Sequence, residues 1–350
     1  MATERWIAPT ARTPEEEAAH FSLRPRRIDE YVGQRELIER IRITIAAARE
    51  RSEPMEHLLL HGPPGLGKTT LAHVIAAEMG STVHATSGPA LTRGTDLVGA
   101  LTALKPNDVL FIDEIHRLPV QVEEFIYPAM EEAQIDVPVG TGMHVQTVKI
   151  RLKPFTLIGA TTRAGLLSAP LRSRFGLTHH LRYYPADDLL QILTRSASLL
   201  NVPAADGALD SIATRSRGTP RIANRLLRRV RDYAQVRAGG RIEPRVVDEA
   251  LALEGVDRLG LDELDRQYLR VIATTYRGGP VGLEAVAATM GDDAGTLEDV
   301  VEPFLLQVGF LARTRRGRQL TADGAAYIGV KLPDALAEFK LFEEQELERG

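Results

Sequence analysis

The most informative segment of this chain is Gly62-Pro63-Pro64-Gly65-Leu66-Gly67-Lys68-Thr69-Thr70. It matches the phosphate-binding loop G-x-x-x-x-G-K-[ST], whose glycines let backbone N–H groups surround a triphosphate. In such a loop the lysine contacts the β- and γ-phosphates, and the hydroxyl that follows it ligates Mg²⁺. Residues 57–60 predict a strand before the loop and residues 71–79 a helix after it, so the phosphates would lie at a helix N-terminus. A glycine-rich turn that matches by chance is the alternative.

A second apolar run ends in two carboxylates, and it reads Val109-Leu110-Phe111-Ile112-Asp113-Glu114. In a P-loop protein this is the place of the Walker B pair. Asp113 would then hold the Mg²⁺ shell, and Glu114 would orient or deprotonate the attacking water. A solvated acidic turn is the alternative, and the phosphate-binding loop upstream argues against it.

Composition and charge limit the possible functions. Lys and Arg number 43 against 47 Asp and Glu, which gives a formal net charge of −4, so any nucleic-acid contact must be a local patch. The chain has no cysteine, which excludes disulfides and thiolate metal sites. We expect no membrane span, because no apolar run reaches about 20 residues, and no secretory signal, because Glu15, Glu16 and Glu17 lie near the start. A cytoplasmic protein is therefore expected.

Sequence periodicity divides the chain into three domains between two tails. Residues 1–20 predict a mobile tail. Over 21–184, short apolar runs alternate with helical stretches, the pattern of a parallel sheet covered by helices on both faces. Residues 185–255 lack strand-like runs and predict an all-α domain, 256–335 predict three helices and a two-stranded wing, and 336–350 form an acidic tail. The predicted fold class is an α/β P-loop domain with a parallel sheet, followed by an all-α domain and a winged-helix domain.

Residues 135–150 predict a β-hairpin. Residues that favour strands alternate with polar ones on both sides of a Gly-Thr-Gly turn. Its apolar residues would form an exposed tip, which monomers seldom show without a partner, and they are Val137, Pro138, Val139, Met143 and Val145. A hairpin that packs on its own domain is the alternative.

Two further segments place polar side chains near the predicted nucleotide. Thr161-Thr162-Arg163 follows an apolar strand, so a threonine there could contact the γ-phosphate or the attacking water, or could only cap the next turn. Arg172 and Arg174 are either solvated surface or reach the γ-phosphate of a neighbouring subunit as an arginine finger.

Arginines are concentrated in two later segments. Thr219 and Pro220 predict the N-cap and first position of a helix, which places Arg221 in its first turn. The wing carries four arginines, which make it the local cationic patch for DNA, or else merely a soluble hairpin: Arg313, Arg315, Arg316 and Arg318. Strict strand alternation would put Arg313 and Arg315 on one face.

Five stretches together resemble the bacterial RuvB family, the AAA+ ATPases that drive branch migration of Holliday junctions. They are residues 23–25, 62–70, 110–118, 159–176 and 217–226. The resemblance implies a large AAA+ domain, a small lid and a winged-helix head, assembled as a homohexamer around duplex DNA. It also implies ATP and Mg²⁺ as cofactors and RuvA and RuvC as partners.

The resemblance assigns roles to individual residues. The nucleotide contacts would be Leu23, Arg24, Gly65, Lys68, Thr69, Thr70, Tyr184 and Arg221, with Thr69 and Asp113 also toward the metal. Glu114 would be catalytic, Thr162 or its neighbour Thr161 would be sensor 1, and Arg174 would be the finger. The backbone at Glu131, Glu132 and Ala133 would approach a neighbour's nucleotide. The hairpin would grip RuvA, and Arg313 and Arg318 would contact DNA, with Arg315 on the same wing.

Two differences from the family pattern limit these assignments. Ala133 stands where the family has an aromatic residue, and the two tails are not covered. Two other functions are compatible with the motifs. One is a protein-remodelling or clamp-loading AAA+ ATPase, and the other is an ATP-switched regulator that recognises one DNA sequence. Glu114 beside Asp113 favours hydrolysis over switching.

Overall fold

The computed structural model describes residues 22–139 and 146–331, and these residues form two units. The first unit comprises the described residues up to Asn201 together with Gly218–Asn224. Its strands are β1 Leu58–His61, β2 Val83–Ser87, β3 Val109–Asp113, β4 Gln134–Val139, β5 Gln146–Arg151, β6 Thr156–Thr161 and β7 Leu177–His180. Its helices are α1 Arg35–Arg51, α2 Lys68–Met79, α3 Gly94–Thr102, α4 Val120–Glu132, α5 Ala169–Ser173 and α6 Ala186–Leu199.

Five of these strands form a parallel sheet in the order β2-β3-β6-β1-β7. The central strands are buried apolar runs, as expected of a parallel sheet covered on both faces. Because β6 lies between β1 and β3, the ends of these three strands meet at one edge: His61 pairs with Thr161, and Ile112 pairs with Gly159. The phosphate-binding loop, the Asp113–Glu114 pair and Thr162 all follow these strand ends, so the topology brings them together.

The two-stranded sheet of β4 and β5 is antiparallel, as the predicted hairpin requires. Val137 is half-buried and packs against the core of the first unit, which fits the alternative of a hairpin that packs on its own domain. Pro138 and Val139 lie in β4, whereas Met143 and Val145 lie outside the described residues. The predicted tails, 1–20 and 336–350, also lie outside them.

The second unit comprises Val202–Arg217 and the described residues from Arg225 onward. Its first part is helical, with α7 Ala208–Thr214, most of α8 Pro220–Arg237, and α9 Pro244–Leu253. Its second part has α10 Glu263–Thr274, α11 Leu283–Met290, α12 Ala294–Thr296, a π-helical turn Leu297–Val301, α13 Glu302–Gln307, β8 Leu311–Thr314, β9 Gly317–Leu320 and α14 Ala322–Tyr327.

The second part confirms the predicted winged helix, with its own apolar core around Tyr268, Leu269 and Leu305. Two details differ from the sequence prediction. The third of the three helices predicted for this domain consists of three pieces, with a π-helical turn between two α-helical ones. β8 ends at Thr314, so Arg315 lies in the turn, beyond the reach of strand alternation. Among the described residues, no helix is long and apolar enough to cross a membrane.

Candidate nucleotide-binding site

The phosphate-binding loop has a backbone that only glycine adopts readily. Gly62, Gly65 and Gly67 have φ values of 137°, 79° and 100°, in the region that side-chain-bearing residues avoid. A Cβ at Gly62 would lie 2.5 Å from the Leu181 carbonyl oxygen, and one at Gly67 would lie 2.9 Å from the Tyr31 hydroxyl. Helix α2 begins at Lys68, directly after the loop. These features fit a phosphate cradle at a helix N-terminus.

A cleft of ≈ 270 Å³ opens over this loop. Ten residues assigned from the sequence line it: Leu23, Arg24, Gly65, Lys68, Thr69, Thr70, Asp113, Glu114, Tyr184 and Arg221. The Thr69 hydroxyl and the carboxylates of Asp113 and Glu114 give the oxygen donor set that Mg²⁺ prefers. The cleft therefore suits a magnesium-bound nucleoside triphosphate.

Lys68 is folded back onto the loop. Its Nζ donates to the carbonyl oxygens of Gly62 at 2.7 Å and of Pro63 at 2.9 Å. Burial lowers the pKa of Lys68 to about 8, although the charges of Asp113 and Glu114 act to raise it. A triphosphate in the cleft would supply the negative charge that restores the ammonium form.

The carboxylate pair occupies the end of β3. Burial raises the pKa of Asp113, and its Oδ1 accepts the backbone N–H of Glu114 at 2.9 Å. Glu114 has a left-handed backbone, with φ 47°, which is costly for a residue with a side chain and is typical of functional sites. The Thr162 hydroxyl donates to Glu114 Oε2 at 3.2 Å.

The sequence could not decide which of Thr161 and Thr162 lies beside the carboxylate pair, but their positions in the structure differ. Thr161 is fully buried, and its hydroxyl oxygen accepts the N–H of Arg163 at 3.0 Å. Oγ1 of Thr161 also lies 2.9 Å from Nδ1 of His116, which in turn lies 3.2 Å from Glu114 Oε2. Thr162 therefore contacts the Glu114 carboxylate directly, whereas Thr161 reaches it through His116.

Tyr31 and Arg195 also line the cleft, and the sequence prediction did not include them. The Tyr184 hydroxyl donates to Tyr31 at 3.2 Å and lies 3.3 Å from the Leu66 carbonyl oxygen. Arg195, on α6, donates to the Leu23 carbonyl oxygen at 2.7 Å. Tyr31 and Arg195 form these contacts with residues far away in the chain, so periodicity and local motifs give no signal for them.

A second cleft, of ≈ 580 Å³, contains the remaining residues assigned to a neighbour's nucleotide. Glu131, Glu132, Ala133 and Arg174 line it, and it shares no lining residue with the first cleft. Arg174 lies with its guanidinium 4.3 Å from the ring centre of Tyr127 and its Nε 3.1 Å from Glu131 Oε1. The assigned finger and the phosphate-binding loop thus lie at separate places on one chain.

The wing arginines fall into two groups. Arg313 and Arg318 lie opposite each other across β8 and β9, and both form ion pairs with Glu302. Arg315 and Arg316 lie in the turn and are exposed. The sequence shows four similar arginines, but only the structure separates the paired ones from those at the tip.

Comparison with known proteins gives matches along nearly the whole described chain. Residues 23–181 match the Holliday junction DNA helicase RuvB P-loop domain, 184–257 the RuvB AAA lid domain, and 258–329 the RuvB C-terminal winged helix domain. The Holliday junction branch migration motor RuvB of Thermotoga maritima is 48% identical, with 89% of this chain and 100% of that chain covered and a TM-score of 0.81. A mutant of it is 49% identical over 89% and 99%, with a TM-score of 0.82. These matches confirm the predicted fold class and family resemblance.

Proposed function

This chain belongs to the RuvB family of Holliday junction DNA helicases and is a P-loop AAA+ ATPase, and from that premise we propose that it acts as a hexameric motor on duplex DNA. The motor drives branch migration of Holliday junctions during homologous recombination and repair in the cytoplasm. RuvA is its partner at the junction, through the hairpin predicted over residues 135–150, and the resolvase RuvC acts beside them.

The observation that carries this proposal is the separation of the two clefts. The phosphate-binding loop, Asp113 and Glu114 line one cleft, and Arg174 lines another with no residue in common. A finger placed there stabilises a transition state only when a second subunit brings its own nucleotide cleft to it. An assembly of subunits that share their sites follows, and a closed ring is the usual result of such head-to-tail contacts.

Within each site the residues have distinct tasks. Glu114, oriented by Thr162, accepts the proton of the water that attacks the γ-phosphorus as the bond to the bridging oxygen breaks. Lys68 and Arg174 balance the negative charge on the phosphates, and Thr69 and Asp113 would hold Mg²⁺. When bound, Mg²⁺ neutralises phosphate charge and fixes the geometry of the triphosphate. Tyr184 and Arg221 line the same cleft, and Arg221 serves as sensor 2.

In this proposal, ATP hydrolysis moves the lid through two residues that line the nucleotide cleft, Tyr184 and Arg221. Tyr184 lies at the boundary between the P-loop domain and the lid in the sequence, and Arg221 belongs to the lid segment, so a change at the phosphates reaches the lid through them. The winged-helix head then moves the duplex. Contacts to a moving duplex go to phosphates rather than to base edges, so binding is independent of the DNA sequence. The wing residues Arg313, Arg315 and Arg318 form these phosphate contacts.

The test is migration of a synthetic four-way junction by the full chain with Mg-ATP, with and without RuvA, beside a Lys68→Ala control. We expect ATP-dependent migration that RuvA stimulates and that the control lacks. ATP hydrolysis without movement of the junction under any of these conditions would contradict the proposal. Stimulation of hydrolysis by polypeptide instead of DNA would then identify a protein-remodelling ATPase.

A further inference from the structure

Two arginines of the wing share one pair of carboxylates. Arg313 on β8 lies directly opposite Arg318 on β9. Like charges that face each other across a β-ladder repel. Glu298, in the π-helical turn, and Glu302, at the start of α13, both lie within ion-pair distance of the two guanidinium groups. The four side chains therefore form a compact cluster with balanced charge.

Glu302 is the fixed member of this cluster. Its side chain is 0% exposed. Oε1 accepts from Arg318 Nε at 2.7 Å and from the Tyr268 hydroxyl at 2.5 Å, and Oε2 accepts from Arg313 Nε at 3.0 Å. Burial acts to raise the pKa of Glu302, but the hydrogen bonds from Arg318, Tyr268 and Arg313 outweigh it and hold the pKa below its ordinary value. Removal of one of these partners would leave the buried Glu302 charge uncompensated, which is strongly destabilising.

Glu298 is the exchangeable member. Its side chain is 37% exposed, and its Oε1 lies 3.2 Å from Arg313 Nη2 and 3.5 Å from Arg318 Nη2. Ion pairs at such exposed positions contribute little to stability. A phosphate oxygen could take the place of this carboxylate oxygen, because both are anionic acceptors for guanidinium N–H groups.

We propose that Arg313 and Arg318 form a clamp that binds one DNA phosphate. Glu302 holds both guanidinium groups of the clamp in place, and Glu298 is the internal counter-ion that the phosphate replaces. The inference rests on the proposed function, in which the head binds the duplex backbone. It gives the two glutamates opposite effects on DNA affinity. Arg315 and Arg316, exposed at the turn, contact the backbone independently of this exchange.

The test is equilibrium binding of the full chain to a short labelled duplex at low ionic strength, with two unrelated DNA sequences. Glu298→Gln keeps the shape of the side chain and removes its charge, and we expect roughly two- to fivefold tighter binding, the range that an exposed ion pair allows. Glu284→Gln makes the same charge change at an exposed position on α11 and controls for the general field. Glu302→Gln should weaken binding and lower the melting temperature of the head.

Double variants identify the clamp. The gain from Glu298→Gln should vanish in an Arg313→Ala background and persist in an Arg315→Ala background. Equal effects of Glu298→Gln and Glu284→Gln on affinity would overturn the exchange, and so would a gain in affinity that persists without Arg313. The proposed function would remain intact in either case, provided that the wild-type chain binds both duplexes. A wild-type chain that binds neither duplex, or strongly prefers one sequence, overturns both.

Discussion

Nδ1 of His116 lies 3.2 Å from Oε2 of Glu114, the carboxylate that we assign as the catalytic base. The same nitrogen lies 2.9 Å from Oγ1 of the buried Thr161. Glu114 also receives the Thr162 hydroxyl, so its carboxylate is held from two directions at the end of β3. His116 is thus a positioning residue for the carboxylate, because it touches the base and not the nucleotide cleft.

We expect His116→Leu to lower kcat for ATP hydrolysis by roughly 10- to 100-fold with little change in KM, since a polar contact to a charged group contributes about 1.5–3 kcal/mol. His116→Asn, whose amide can occupy the position of Nδ1, should recover most of the loss. Steady-state ATPase kinetics of both variants give the test. A large rise in KM with kcat unchanged would show that His116 acts in nucleotide binding instead.

Gly88 leaves room for the backbone of Glu114, the proposed catalytic base. A Cβ at Gly88 would lie 2.4 Å from the Glu114 carbonyl oxygen. Gly88→Ala must therefore push the backbones of residues 88 and 114 apart, and a misplacement of Glu114 by about 1 Å costs on the order of 10²-fold in rate. We expect kcat to fall by about that factor while ATP affinity, measured by titration calorimetry, stays within roughly threefold of wild type. Gly99→Ala is the matched control, because a Cβ there meets nothing within 4 Å. Equal loss in both variants would refute the steric explanation.

Arg174 permits a test of shared sites. Arg174→Ala should lower turnover by on the order of 10³-fold or more and leave nucleotide binding intact. Lys68→Ala should also be inactive, for a different reason, since it lacks the phosphate contact. When the two inactive chains are mixed, some interfaces will join an intact phosphate-binding loop to an intact Arg174. We expect ATPase activity to return on mixing in proportion to those interfaces. No recovery, with mixed assembly verified by mass spectrometry, would mean that Arg174 acts on its own chain's nucleotide.

The parts of the site that the sequence predicts are those encoded within one short segment. The phosphate-binding loop and the Asp113–Glu114 pair combine fixed spacing with an adjoining apolar strand, and parallel topology then brings their ends together. The residues that support them could not be found this way. His116 needs Thr161, 45 positions away, and Arg195 needs Leu23, 172 positions away. Such pairs depend on packing, which periodicity does not encode.

The winged-helix domain shows the same limit. Its helices and strands follow from apolar spacing, but the π-helical turn at Leu297–Val301 is too close in period to an α-helix to be seen in the sequence. That turn carries Glu298, whose pairing with Arg313 and Arg318 separates two arginines of the wing from the other two. The sequence predicted one local cationic patch, with Arg313 and Arg315 on the same face.

Lys68 gives ATP binding a pH dependence of defined sign. Burial lowers its pKa to about 8 in the protein without nucleotide, so above that pH most molecules carry a neutral lysine. Bound phosphates favour the charged form and raise the pKa again. ATP binding near pH 8 should therefore take up protons, with about half a proton per site at pH 8 and almost none at pH 6.5, where the lysine is already charged. Affinity should weaken as the pH rises above 8.

Titration calorimetry in two buffers with different ionisation enthalpies measures this uptake. Lys68→Arg is the control, because arginine stays protonated throughout this range and should bind ATP without uptake. His61 lies near Lys68, but burial lowers the pKa of its imidazole, so it titrates below this range. Uptake at pH 8 that persists in Lys68→Arg would assign the proton to another group. Its absence in the wild-type chain would mean that Lys68 is fully charged before the nucleotide arrives.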